Sequence, residues 1–295
     1  MTEHDAAALA QTYDLPRVGA RPSLPEYLQQ MWERRHFAST LAKYRIESDV
    51  AENRLGLVWI VLNPLLQAAV YGLIFGIIMS SASRPQPFIP FLVTGFFIYT
   101  YFSVSFSQGA RSITNNTNLV RSLSFPRMLL PVSAVLRQLF ELIPMLAVLF
   151  IILIGFGVFP TWNWLLLLPA LLLMTMFNLG VAFFAARLTV HLRDVTQIIP
   201  IITRILFYLT GIFYSLELVL ADQPRLLEIA QLNPVHAYIS LARYSLIGLQ
   251  IDPSTQEAID INLGYLWANA GISGVLFLVA GVVFFWKAEE RYGRD

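Results

Sequence analysis

The chain has 295 residues, of which 56% are hydrophobic and only 13% charged, with a mean hydropathy of +0.60. A soluble domain carries about twice that charged fraction, so the composition argues against water-soluble folding and for a polytopic membrane protein. A net charge of +1 gives no case for nucleic acid or another polyanionic partner, and the lack of cysteine removes disulfides, thiolate metal sites and cysteine nucleophiles.

Residues 1–22 are polar, with Glu3, Asp5, Asp14, Arg17 and Arg21 and no apolar core behind them, so they read as a flexible cytoplasmic tail and not as a signal peptide. Residues 23–55 read as a cytoplasmic interfacial region. Ser23 and Glu26 have capping-box spacing with Pro25 in the first turn. Leu24, Tyr27, Leu28, Met31 and Trp32 then share one helical face, opposite Glu26, Gln29, Gln30, Glu33 and Arg34. This helix is too polar to span. Trp32 beside Arg34 and Arg35 suits the headgroup level, so the helix is expected to lie on the membrane surface, the alternative being a soluble helix packed on a cytoplasmic loop.

Six stretches have the ~20 apolar residues that a crossing needs: 56–79, 88–110, 128–159, 164–188, 198–220 and 265–286. The third is too long for one crossing, and its first half, with Arg137 and Glu141, is expected near the interface. Those two residues are four apart and can neutralise each other. Arg204 lies one to two turns into the fifth stretch, where it can snorkel. Ionisable groups in such places are functional candidates by default, with pairing and snorkelling as the structural alternatives. The fold class is therefore an all-α membrane protein with six transmembrane helices. Arg34, Arg35, Lys43, Arg45 and Arg54 precede the first span, Arg111, Arg121 and Arg127 follow the second, and Arg187 and Arg193 follow the fourth. By the positive-inside rule both termini are cytoplasmic, in the inner membrane.

Two connections stand out. "NLVRSLSFPRMLLPV", residues 118–132, is compact, basic and marked by Pro126 and Pro131 on the cytoplasmic side. The outer segment, about 216–263, contains "NPVHAYISLARYSLIG", which predicts a helix from Asn233 and Pro234 to near Gly248 that dips into the interface or packs on the spans.

The chain has no GxxxxGK[ST] phosphate loop, no HExxH and no GxSxG. Its histidines, His4, His36, His191 and His236, are scattered. No catalytic residue, metal site or cofactor is expected. The lack of a carboxylate deep in a span weakens secondary transport. Tyr71, Phe75, Phe97, Tyr101, Phe207, Tyr208, Phe213 and Tyr214 belong to aromatic clusters along the spans, several of them well away from span ends. Sugar C–H faces stack on such rings and tyrosine adds a hydroxyl; lipid-facing packing and interfacial belts are the other reading.

Four stretches carry a resemblance: "RLGLVWIVLNPLLQAAVYGLIFG", "NLVRSLSFPRMLLPVS", "RLTVHLRDVTQIIPIITRILFYLTGIFY" and "LNPVHAYISLARYSLIG". In this order and spacing, over about residues 24–290, the chain resembles ABC-2-type permeases that export polysaccharides, the Wzm and teichoic-acid exporter group. The resemblance implies an ABC-2 transmembrane domain over 56–290. It implies a homodimer bound to two copies of an ABC ATPase subunit that holds ATP and magnesium, with a lipid-linked glycan as substrate. Residues 115–128 then look like the coupling helix that sits in an ATPase cleft. Asn118, Leu119, Val120, Arg121, Leu123, Phe125, Pro126 and Arg127 are its candidate residues. Leu119, Val120 and Leu123 would form its buried face and Arg121 and Arg127 its rim, while Pro126 and Pro131 end it. The eight aromatics become candidates to line the pathway. An ABC-2 exporter of a drug or simple lipid, a membrane-embedded glycan-processing enzyme and a secondary transporter stay open as alternatives.

Overall fold

The computed structural model describes residues 22–52, 56, 58–78 and 85–289; the expected tail thus lies outside the described residues but for Pro22. Two helices come first, α1 (Leu24–Glu33) and α2 (Arg35–Glu52). Then follow α3 (Val58–Ile78), α4 (Phe88–Ala110), a 3-10 turn (Thr114–Asn116) leading into α5 (Thr117–Ser122), α6 (Leu129–Gly155) and α7 (Leu167–His191), the last entered through a 3-10 turn at Trp162–Leu166. The chain continues through α8 (Val195–Leu209), α9 (Leu216–Val219), α10 (Pro224–Gln231), α11 (Pro234–Ile247) and α12 (Leu263–Trp286). Among the described residues there is no strand, only isolated antiparallel bridges joining Gln86 to Ile251 and Ile251 to Ala258.

Among the described residues five helices, α3, α4, α6, α7 and α12, are long and apolar enough to cross a membrane. The fifth expected span departs from this. Instead of a crossing over 198–220, α8 has 15 residues, about 22 Å, short of the ~30 Å hydrocarbon core. The cause is local: Gly211 adopts φ 68°, and a Cβ there would lie 2.8 Å from the Tyr214 carbonyl oxygen, so the chain reverses just past Leu209 as only glycine permits. The long third stretch resolves the other way. α6 is one continuous helix of 27 residues, about 40 Å, with Pro144 inside it. Its first turns pack against α2 and do not form a separate interfacial piece. At the start of α1, Ser23 occupies the N-cap position but its side chain makes no capping bond, so the predicted capping box does not form, although Pro25 sits in the first turn as expected.

α4 is the central element: 15 of its residues are buried, and they anchor a core shared with α6, α7, α11 and α12. The helix predicted in the outer segment is α11. Asn233 caps it, accepting from the Val235 N–H, and Gly248 ends it at φ 82°. α11 is buried over most of its length against α4, α7 and α12, so it packs on the spans. α3 and α8 stand at the periphery, each with a row of exposed apolar side chains.

The most extensive helix pair is α7 with α12. A Cβ on Gly180 would lie 2.3 Å from the carbonyl carbon and oxygen of Phe277, and one on Gly281 2.6 Å from the carbonyl oxygen of Gly180. Backbone thus touches backbone, the close approach that small residues allow between membrane helices. Gly180→Ala is expected to cost about 1–3 kcal/mol by overpacking. It should lower the thermal unfolding midpoint in detergent, whereas Gly271→Ala, where an added methyl meets nothing within 4 Å, should not.

Candidate functional site

The first candidate site is the end of the bundle where α1, α2 and α5 gather. α5 runs only to Ser122, and Leu123 is already extended at φ −127° and ψ 137°, so the helix stops before Pro126 exerts its restriction. The expected apolar face is divided. Val120 turns into the protomer and packs with Tyr27, Ile113, Met128 and Phe183, among others. Leu123 is 51% exposed, Leu119 is half-buried, and Asn118 and Arg121 are exposed. Phe125 packs on Phe37 of α2 in a tilted pair with ring centroids 4.9 Å apart, and Pro126 is buried.

Arg127 is half-buried and engaged within the protomer. Its backbone N–H donates to Glu289 Oε1 at 3.1 Å and its Nη1 to the Glu289 carbonyl oxygen at 2.7 Å. Tyr27 O–H donates to Glu289 Oε2 at 2.9 Å while accepting from the Met128 N–H at 3.2 Å. One carboxylate just past α12 therefore fastens α1 and the segment after α5 together. Burial pushes the Glu289 carboxyl above its usual value, against the Arg127 and Tyr27 hydrogen bonds that pull it down. Two further bonds complete the junction: Arg34 Nη1 donates to the Ser124 carbonyl at 2.5 Å, and Trp286 Nε1 to the Pro22 carbonyl at 3.1 Å.

This junction also revises the reading of α1. Tyr27 is 1% exposed, so it belongs to the protein interior and not to a lipid-facing stripe. Met31 packs beside it. Trp32, at 69% exposed, does face outward, and the Arg35 guanidinium lies over its ring at 4.8 Å.

The aromatic candidates gather into one cluster. Phe213 stacks on Phe75 at 4.2 Å and meets Tyr71 at 5.2 Å, Phe207 at 5.0 Å and Tyr208 at 6.3 Å. Phe97, Tyr101 and Phe213 are fully enclosed within the protomer, with the Tyr101 hydroxyl held 2.8 Å from that of Thr175; in this structure they are core. Phe207 is nearly buried, Tyr71, Phe75 and Tyr214 are half-buried, and Tyr208 is exposed. The Tyr214 hydroxyl donates to the Tyr208 carbonyl at 2.6 Å.

Among the charges, Arg137 Nε meets Glu141 at 2.7 Å, the spacing-derived pair, and its Nη2 also meets Asp49 of α2 at 2.5 Å. Arg204 is exposed on α8. The charge that sequence reading assigned to the outer loop, and so missed, is Arg243 on α11. It is 2% exposed. Its Nε donates to the Phe91 carbonyl at 3.1 Å, Nη1 to Gly211 at 3.0 Å and Nη2 to Ile212 at 2.9 Å, and its guanidinium lies 3.4 Å over the Phe91 ring. Carbonyls released where α8 ends need partners in an apolar surround, and Arg243 supplies them. The signal was a lone arginine inside the apolar run "AYISLARYSLIG". Among the described residues no group of three or more His, Asp or Glu side chains is placed to hold a metal ion.

With this geometry in hand, the comparison with known families is decisive: residues 38–247, from α2 to the last residue of α11, match the ABC-2 type transporter family. The chain belongs to the ABC-2 type transporter family. An O-antigen export system permease protein RfbA of Myxococcus xanthus is 26% identical over 263 residues, which cover 89% of this chain and 96% of that protein. A Klebsiella pneumoniae protein of the same name is 28% identical over 166 residues, covering 56% of this chain and 63% of the relative. A second from Klebsiella pneumoniae is 27% identical over 178 residues, covering 60% of this chain and 66% of the relative.

Proposed function

We propose that this ABC-2 permease is the membrane subunit of an exporter that carries a lipid-linked polysaccharide across the cytoplasmic membrane. The observation that carries the reading is the near end-to-end alignment with a protein named for O-antigen export. ATP and magnesium bind to a separate ATPase chain, two copies of which engage two copies of this one. The end bearing α1, α2 and α5 faces the cytoplasm, in keeping with its arginines and lysine. A second copy or lipid covers the exposed apolar rows, Leu66, Val70, Leu73 and Ile77 on α3 and Ile198, Ile201, Ile202 and Ile205 on α8.

The mechanical role follows from how α5 is held. Leu123 and Arg121 point outward for the ATPase, while Val120, Phe125 and Arg127 anchor the same segment to α1, α2 and the end of α12. ATP-driven closure of the motor subunits then displaces a braced body, not a loose loop, and discrete rearrangement of packed helices is the usual result.

Leu123→Asp tests this. Leu123 is exposed, so the substitution should leave the fold intact, with a thermal midpoint within a few degrees of wild type. It places a charge in the apolar centre of the proposed contact, and affinity for the ATPase should fall at least ten-fold, about 1.4 kcal/mol, with export lost alongside. If association and export both survive Leu123→Asp, the coupling assignment is wrong.

A further inference from the structure

A cavity of about 720 Å³ opens between α2, α4, α6 and α8, at the end of the bundle that carries α5. That volume is in the range of small-molecule sites, ~300–1,000 Å³. Its lining is unlike the rest of the span interior. Three arginines contribute to it: Arg45 from α2, Arg111 just past α4 and Arg137 from α6. Ser107, Gln108 and Asn115 add polar groups, and no carboxylate is among the lining residues. The two nearby acids, Asp49 and Glu141, are both engaged with Arg137.

The arginines are held in place. Arg45 Nη2 donates to Asn116 Oδ1 at 2.6 Å, and Asn116 Nδ2 donates to the Ser112 carbonyl at 2.5 Å. Arg111 Nη2 donates to the Thr196 carbonyl at 3.3 Å. Burial, and after it the like charge of Arg137, lower the pKa of Arg45, with Asp49 opposing.

We infer that this cavity binds the phosphoryl group joining lipid and glycan in the exported substrate. Guanidinium forks match phosphate oxygens in charge and in geometry, and the serine, asparagine and glutamine groups suit the first sugar hydroxyls. The cavity's place beside α5 and α8 puts it where a headgroup would enter from the proposed cytoplasmic side, so the anion would be held while the apolar tail remains outside the bundle. Arg137 would be the fixed wall, clamped by its two carboxylates, and Arg45 and Arg111 the principal ligands. The inference rests on the export reading above for the identity of the phosphate's source, but its test does not use export.

The test uses the full-length permease purified with its ATPase in phosphatidylcholine nanodiscs, titrated by calorimetry with farnesyl diphosphate, with farnesol, and with phosphatidylglycerol. Farnesyl diphosphate should bind. Arg45→Gln and Arg111→Gln should each raise its Kd about ten-fold, as expected for loss of one charge-assisted contact, while Arg45→Lys and Arg111→Lys retain much of the affinity. Unchanged thermal midpoints exclude misfolding of the glutamine variants, and the lysine pair keeps the result decisive where a midpoint drops. Three results would each overturn the assignment: no binding of farnesyl diphosphate, binding that ignores all four substitutions, or equal binding of farnesol. Equal binding of phosphatidylglycerol would overturn it too, by marking a site for membrane lipid. Binding that depends on the arginines in a complex that exports no glycan would sink the export reading and leave the phosphoryl site standing.

Discussion

Replacing Arg243 with methionine is expected to be the most damaging single change in the chain. The substitution keeps the apolar stem but removes every donor, leaving the Phe91, Gly211 and Ile212 carbonyls without their bonds. Each unsatisfied buried group costs about 1–3 kcal/mol, so the loss over the three carbonyls is on the order of 3–9 kcal/mol, against a total stability of ~5–15 kcal/mol. The measurement is the yield of monodisperse protein by size-exclusion chromatography and its thermal midpoint; a methionine variant as stable as wild type would refute the role. Arg243→Lys should rescue little, because one ammonium cannot span carbonyls contributed by α4 and by the turn after α8. Gly95→Ala should echo the defect more mildly, since its methyl would lie 2.3 Å from the Arg243 Nη2 and displace the guanidinium.

The second large effect is expected at Glu289. Glu289→Ala deprives the Tyr27 hydroxyl and the Arg127 N–H of their acceptor, about 1–3 kcal/mol for each buried donor. The loss falls on the attachment of α1, so amides of Leu24–Glu33 should exchange hydrogen faster while those of α4 stay protected. ATP hydrolysis by the complex should persist with export impaired. Unchanged protection of α1 in the alanine variant would show that the carboxylate does not hold it. Glu289→Gln keeps one oxygen acceptor and should fall between. The pH dependence has a defined sign. Burial raises the folded-state pKa of this carboxyl, so its contribution to stability is full below the ordinary carboxylate value near 4.5 and declines as pH rises through the raised value. Glu289→Gln should flatten that decline.

What could be read from the sequence follows physical range. α4 begins and ends where hydropathy placed it, at Phe88 and Ala110, because a long apolar run has no competing solution in lipid. α11 was legible through Asn233, Pro234 and Gly248, whose effects are local. The i,i+4 pair of Arg137 and Glu141 was legible for the same reason, whereas its third partner, Asp49, lies 88 positions away and has no sequence signature. Hydropathy likewise cannot see that Gly211 ends α8 early, since residues past the break remain apolar. Tyr27 and Trp32 carry the same helical-face signal, yet one is enclosed and the other faces out. Distant partners separate them: Tyr27 is held by Glu289 and by packing with Val120 and Met128. Among the aromatics, position within a span indicated depth but not direction, so Phe97 and Tyr101 proved to be interior packing.

The glycine contact between α7 and α12 has one more consequence. Two helices joined main chain to main chain over Gly180 and Gly281, with Phe177 packed on Phe277, Phe183 on Phe285 and Phe184 on Phe284 along the same seam, resist shear and behave as a single plank. The lightly held α3 and α8 are the loose boards of the wall. An aperture wide enough for a polymer would then form by those two swinging aside from a frame that keeps its shape, which confines the moving parts of each protomer to its margins.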